Sequence, residues 1–154
     1  KNISIDKISE SHCDLLQQFF EHLSTLGEEH FFSPHPFTRQ EAARMCRGDF
    51  LDYYCLARYG ETPIAYGMLR GWDEGYEIPS LGITVRPDYR GLGVGVTMMQ
   101  YLHLVAKLYG AKNVRLKVKR DNIKAKSLYE DLGYDFKDTE TEYLIGLCAL
   151  SKNR

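Results

Sequence analysis

The sequence predicts an α+β (α/β) fold, a mixed, twisted sheet of six to seven strands with helices on both faces. Three observations carry that expectation. Strand-like and helix-like segments follow one another in the order βααβββαβαββ. Antiparallel hairpins flank one strand–helix–strand crossover, which makes the central pair of strands parallel and right-handedly connected. The crossover itself opens on "TVRPDYRGLGVGVTMM", residues 84–99, where a β-branched run gives way to three alternate glycines and then to an apolar segment.

Each element follows from its local pattern. "ISIDKI" alternates apolar and polar residues and reads as an edge strand. From Cys13 onward, Leu15, Leu16, Phe19, Phe20, Leu23 and Leu26 recur at helical spacing, and Gly27 suits the helix end. Thr38-Arg39-Gln40-Glu41 matches a capping box, so a second helix begins there. The intervening "EEHFFSPHPFT" has two prolines among aromatics and forms no regular structure. "DYYCLARYGETPIAYGMLRG" reads as a hairpin about Gly60-Glu61-Thr62-Pro63. After the turn "GWDEG", "YEIPSLGITV" reads as a further strand, with Pro79 marking an irregularity.

Val94 to Tyr109 is apolar at helical period and ends at Gly110. "NVRLKVK" alternates strictly, with Val114, Leu116 and Val118 on one face and Arg115, Lys117 and Lys119 on the other. Asn122 caps a helix that runs to Leu132 and stops at Gly133. "YDFKDTETEYLIGLCAL" supplies two closing strands.

Residues 1–154 read as one domain with room for a sizeable core. The formal net charge is −1 and charges of both signs are spread along the chain, so nothing favours nucleic acid or an anionic membrane as partner. No apolar run is long enough to span a bilayer, and "KNISIDKISE" is too polar for the core of a signal peptide. Cys13, Cys46, Cys55 and Cys148 form no C-x-x-C pair, and the histidines do not cluster, so no metal is expected. Buried, reduced cysteines in a cytoplasmic protein are the default expectation.

Gly91, Gly93 and Gly95 lie between a strand and a helix. A dinucleotide fingerprint beginning at Gly91 fails at Val96, and no Walker A G-K-S/T occurs. What remains is a helix N-terminus whose first N–H groups are not screened by side chains, an anion site backed by the helix dipole, with Arg90 able to add a charge-assisted contact.

Arg90-x-x-Gly93-x-Gly95 after "GITVRPDY" resembles the coenzyme A motif of the GNAT acetyltransferase superfamily, and "NVRLKVKRDNIKAKSLYEDLGYDF" resembles that superfamily's next segment. The resemblance spans nearly the whole chain. It implies a GNAT-like sheet whose central parallel strands splay apart. It also implies acetyl-CoA as co-substrate, no metal, and direct transfer to an amine in a ternary complex.

By that resemblance, Ile83, Thr84 and Val85 hold the pantetheine arm and the thioester oxygen. Arg90, Gly91, Leu92, Gly93, Val94, Gly95 and Val96 take the pyrophosphate, and Asn122 contacts the coenzyme arm. Tyr129 protonates the departing thiolate, a task within reach of a phenol. The base is less determined: histone-type members place a glutamate on the strand before the glycine turn, which points to Glu77, with His30 and His35 as alternatives. Members acting on protein N-termini carry glutamate where Lys117 stands, a departure in this chain.

The superfamily builds its acceptor wall from the segment between the first two helices. Phe31, Phe32 and Phe37 there, and Trp72 on the turn before Glu77, are the candidate acceptor contacts, with Asp73 and Glu74 beside them for an ammonium. A small-molecule amine, an aminosugar or amino acid derivative, is the expected acceptor. A protein N-terminus or lysine and a non-catalytic acyl-CoA sensor are the alternatives, with a nucleotide-binding module of another kind as a further one. Homodimers are common in that superfamily, so a second copy of the chain is admitted as a partner.

Overall fold

Apolar periodicity and caps place the elements. In the computed structural model, which describes residues 1–28 and 35–150, the chain runs β1 (Ile3–Lys7), α1 (Cys13–Thr25), α2 (Arg39–Arg47), β2 (Tyr53–Tyr59), β3 (Thr62–Arg70), β4 (Ser80–Val85), α3 (Val94–Leu108), β5 (Asn113–Lys119), α4 (Ile123–Asp131), β6 (Asp135–Lys137) and β7 (Tyr143–Ala149). Phe31, Phe32 and His30 lie outside the described residues.

The strands form one seven-stranded sheet in the order β1-β2-β3-β4-β5-β7-β6. All neighbours are antiparallel except the central pair β4–β5, which is parallel as the crossover requires. This is the mixed sheet the sequence predicts, with β1 at one edge.

Period-two alternation along β3 splits the core between the two faces. Ala65 and Leu69 pack with Met98, Met99, Leu102 and Ala106 of α3. Tyr66 and Met68 pack with Leu16, Phe19, Phe20 and Leu23 of α1 and Met45 of α2. A Cβ at Gly67 would lie 2.9 Å from Leu102 Cδ1 and 3.0 Å from Met98 Cε. Glycine there lets α3 press directly on the sheet. Phe37, an acceptor-wall candidate, belongs to the α1–α2 core, its ring centroid 5.1 Å from that of Phe20.

The helix ends follow their sequence signals. Thr38 Oγ1 accepts from Glu41 N–H at 3.1 Å and opens α2, while the Glu41 carboxylate accepts from Arg44. Gly27, Gly110 and Gly133 stand just past the ends of α1, α3 and α4 with positive φ.

Two expectations are corrected. "YEIPSLGITV" is strand only from Ser80, because Pro79 has no N–H for the ladder and Tyr76 N–H turns back to Gly71 O at 2.9 Å. Glu77 therefore sits on the β3–β4 loop. The cysteines are not all reduced: Cys13 and Cys46 form a disulfide, with Cα atoms 5.6 Å apart. Packing of α1 on α2 brings the first turn of one beside the last turn of the other, which no local pattern reveals. Cys55 and Cys148 are free and buried. Among the described residues, no helix is long and apolar enough to cross a membrane.

Candidate active site

Strands β4 and β5 share a single registered pair, Ser80 with Arg115, secured by Arg115 N–H donating to Pro79 O at 3.0 Å. Beyond it the strands part, and a cavity of about 790 Å³ opens between them. Backbone alternation orients the groups along its β4 wall. Arg86 N–H donates to Ile64 O at 2.8 Å on the β3 side. Counting back by twos, the Thr84 N–H also faces β3, where Thr84 pairs with Tyr66. The Ile83 and Val85 N–H groups therefore face the cleft, where β5 offers no registered partner. The structure thus separates Thr84, whose side chain is also buried, from its two neighbours.

The helix that overlooks the cleft begins without a capping side chain. Gly93, the N-cap of α3, has φ 91°, and Gly91 has φ 78°. A Cβ at either would meet nothing within 4 Å. The loop is bare and open, with Leu92 largely exposed. A Cβ on Gly95 would lie 3.9 Å from Val85 Cγ2 and 4.0 Å from Ile83 Cδ1, so the first turn of α3 stands over the end of β4. The amides from Leu92 to Val96, uncapped and at the positive end of the helix dipole, fit a diphosphate, with an extended thioester arm continuing down the cleft.

Arg90 is engaged otherwise than the sequence suggests. Its Nε donates to Val85 O at 3.0 Å and its Nη2 pairs with Glu28 Oε2 at 2.7 Å. The guanidinium braces the glycine loop against β4 and the chain following α1.

Asn122, Tyr129, Glu74 and Glu77, all named from the sequence, meet in the cavity wall with Ile83 of β4. Asn122 Oδ1 accepts from Ala125 N–H at 3.4 Å, so it caps α4 while facing the cleft. Tyr129 follows two turns along the same helix, and burial pushes its phenol up to about 12. Glu77 stands exposed at the mouth.

Trp72 lies elsewhere. Its ring stacks on Tyr109 at a centroid distance of 5.4 Å, beside Lys7, Phe50 and Leu51 in a separate, smaller cavity. Asp73 is likewise diverted: its carboxylate accepts from the N–H groups of Leu51 and Asp52 at 3.0 and 2.9 Å. Asp52 reciprocates, accepting from the N–H groups of Gly71 and Asp73 at 3.0 and 3.2 Å. This mutual clasp fixes the loop that carries Glu74 and Glu77 into the cavity wall.

His35 is not a free base. Its Nδ1 faces Pro36 O at 2.9 Å, an acceptor only, so Nδ1 carries the proton and Nε2 accepts from Tyr66 OH at 3.0 Å. Burial lowers its pKa to about 4, leaving a neutral imidazole in the α1–α2 core.

The cavity also holds residues the sequence reading did not assign to it: Arg70, Arg115, Lys119 and Tyr143, together with Lys117. A signal for three of them was present, since the alternation that buries Val114, Leu116 and Val118 turns Arg115, Lys117 and Lys119 to the other face.

Comparison with known proteins follows the same lines. The family model of the acetyltransferase (GNAT) family matches residues 14–134. The chain is 29% identical over 140 residues to the N-terminal acetyltransferase complex ARD1 subunit homolog of Leishmania donovani, covering 87% of this chain and 70% of that protein. In fold it is similar to the GNAT domain of PAT from S. lividans, with TM-score 0.80 and 18% identity over 95% of this chain and 89% of that one. It is also similar to the PaiA N-acetyltransferase of Thermoplasma acidophilum, solved in complex with coenzyme A, with TM-score 0.77 and 18% identity over 97% and 99% of the two chains.

Proposed function

The chain belongs to the GNAT acetyltransferase family, and from that premise we propose that it moves an acetyl group from acetyl-CoA to the primary amine of a small molecule by direct attack within a ternary complex. The observation that carries this reading is the parting of β4 and β5 beyond Ser80 and Arg115. It exposes unpaired backbone amides beside Tyr129 and Asn122 and beneath the bare amides of α3.

In this reading each part of the chain has one task. The amides from Leu92 to Val96 hold the diphosphate at the helix N-terminus. The N–H groups of Ile83 and Val85 pair with the pantetheine arm and polarise the thioester carbonyl, oxyanion-type stabilisation of developing charge. Asn122 steers the arm. Glu77, directly or through water, accepts the proton that the amine sheds as its nitrogen bonds to the carbonyl carbon. As the carbon–sulfur bond breaks, the Tyr129 hydroxyl gives its proton to the thiolate. A phenol held up at about 12 stays protonated and available at neutral pH.

A second reading, acetylation of a protein N-terminus, is favoured by the likeness to the Leishmania donovani protein. The Lys117 departure weighs towards the small amine. We also propose that residues 1–154 form one such domain.

Release of coenzyme thiol, measured against aminosugars, amino acid derivatives and short peptides, tests the proposal. Turnover with a small amine is expected. Turnover confined to peptides selects the second reading, and coenzyme binding without turnover on any amine overturns both in favour of a sensor.

A further inference from the structure

We infer that the acceptor amine also carries a negatively charged group, a carboxylate or a phosphate, seated on Arg115, Lys117 and Lys119 along the β5 wall of the cleft. The inference rests on the reading of this cleft as an amine-acetylating site and names the chemistry of the molecule that enters it.

The three cations occupy alternate positions on β5, and all line the cavity. Strand geometry spaces neighbouring members by about 6.6 Å. Each ion pair among the described residues lies elsewhere, so none of the three meets a carboxylate. Lys117 Nζ instead lies over the Tyr143 ring, 5.3 Å from its centroid. Arg115 and Lys119 are half-buried. Lys117 between them is exposed, and like charges in such a row repel one another until an anion compensates them.

The sidedness of the sheet shows which ligand that anion belongs to. Val114, Leu116 and Val118 pack in the core on the α3 face, so Arg115, Lys117 and Lys119 stand on the opposite face. The uncapped amides that fit the diphosphate belong to α3 itself. The cationic row therefore stands on the face of the sheet opposite the diphosphate amides, which leaves it to the other partner in the reaction, the acceptor. Glu74 and Glu77 face the cavity from the β3–β4 loop. The cleft is thus polarised: a cationic wall for the anionic end of the acceptor and an acidic rim for its amine.

Matched acceptors with and without an anionic group test this. Glucosamine 6-phosphate is paired with glucosamine, and glutamic acid α-amide with glutaminamide, so the two arms separate phosphate from carboxylate. In at least one pair the anionic member is expected to have a kcat/KM higher by about tenfold or more at low salt, the advantage shrinking at high salt. Arg115→Gln with Lys117→Gln should bring the ratio close to one, whereas Arg115→Lys with Lys117→Arg should keep most of it. The KM for acetyl-CoA reports that the variants are folded. Equal or better use of the neutral members in both pairs overturns the inference and leaves acetyl transfer standing. No transfer to any of the four, with coenzyme still bound, overturns the small-amine reading and this inference with it.

Discussion

The Arg90 guanidinium meets the Glu28 carboxylate at 2.7 Å, across 62 positions of sequence, while its Nε holds the Val85 carbonyl. One arginine thus ties the glycine loop to the end of β4, and it does so with a carboxylate at the edge of an anion site.

That carboxylate would oppose a diphosphate on the proposed site at the α3 amides. Glu28→Gln removes the negative charge and releases Arg90 for the phosphates, and is expected to tighten coenzyme A binding by about three- to tenfold. Calorimetric titration checks it. Unchanged or weaker binding in Glu28→Gln would show that Arg90 serves the loop alone.

Tyr129→Phe removes the proposed acid and leaves the ring that packs in the α4 face. The expected result is a fall in kcat of about ten- to hundredfold with the KM for acetyl-CoA little changed. Because burial holds the phenol at about 12, the wild-type rate should show no alkaline decline from this group below about pH 10. An alkaline limb at lower pH that disappears in Tyr129→Phe contradicts the assignment.

His35 makes stability depend on acid. Its folded value of about 4 lies below the 6.5 of the unfolded chain, so between those limits the unfolded state binds the extra proton. Stability is therefore full at neutral pH and falls as the pH drops through that window. Urea unfolding at pH 7 and pH 5 should show a loss of about 2 kcal/mol from this residue. In His35→Gln that share of the slope should vanish. Burial lowers the pKa of His103 as well, and its contribution of the same sign should persist in the variant.

The Cys13–Cys46 bond closes a loop with a sequence separation of 33. Reduction, or Cys13→Ser with Cys46→Ser, should lower the unfolding free energy by about 3–4 kcal/mol in a chain-entropy account. Thiol titration of the unfolded protein without reductant should find two reactive groups, Cys55 and Cys148. Four would show that the pair is reduced as isolated.

What was legible in the sequence was local. The strict alternation of "NVRLKVK" and the spacing of Leu16, Phe19, Phe20 and Leu23 located β5 and α1, because burial on one face imposes a period that other forces do not erase. Asn122 was legible as a cap because its carbonyl acts within its own turn. Contacts made across the chain were not. Glu28 with Arg90, Cys13 with Cys46, and Trp72 with Tyr109 depend on which helix lies over which strand, and no period encodes that. The start of β4 fell between: Pro79 signalled an irregularity, but that the ladder begins only after it, with Pro79 O accepting from Arg115, required the neighbouring strand.

Asp52 and Asp73 grip the β3–β4 loop wholly through main-chain N–H groups. The side chains at 74, 76 and 77 take no part in that grip, though they line the cavity proposed to receive the acceptor. A loop anchored in this way behaves as an interchangeable cassette: its recognition residues can be rewritten for a new amine while the scaffold keeps its shape, which makes those three positions the natural place to redirect the enzyme.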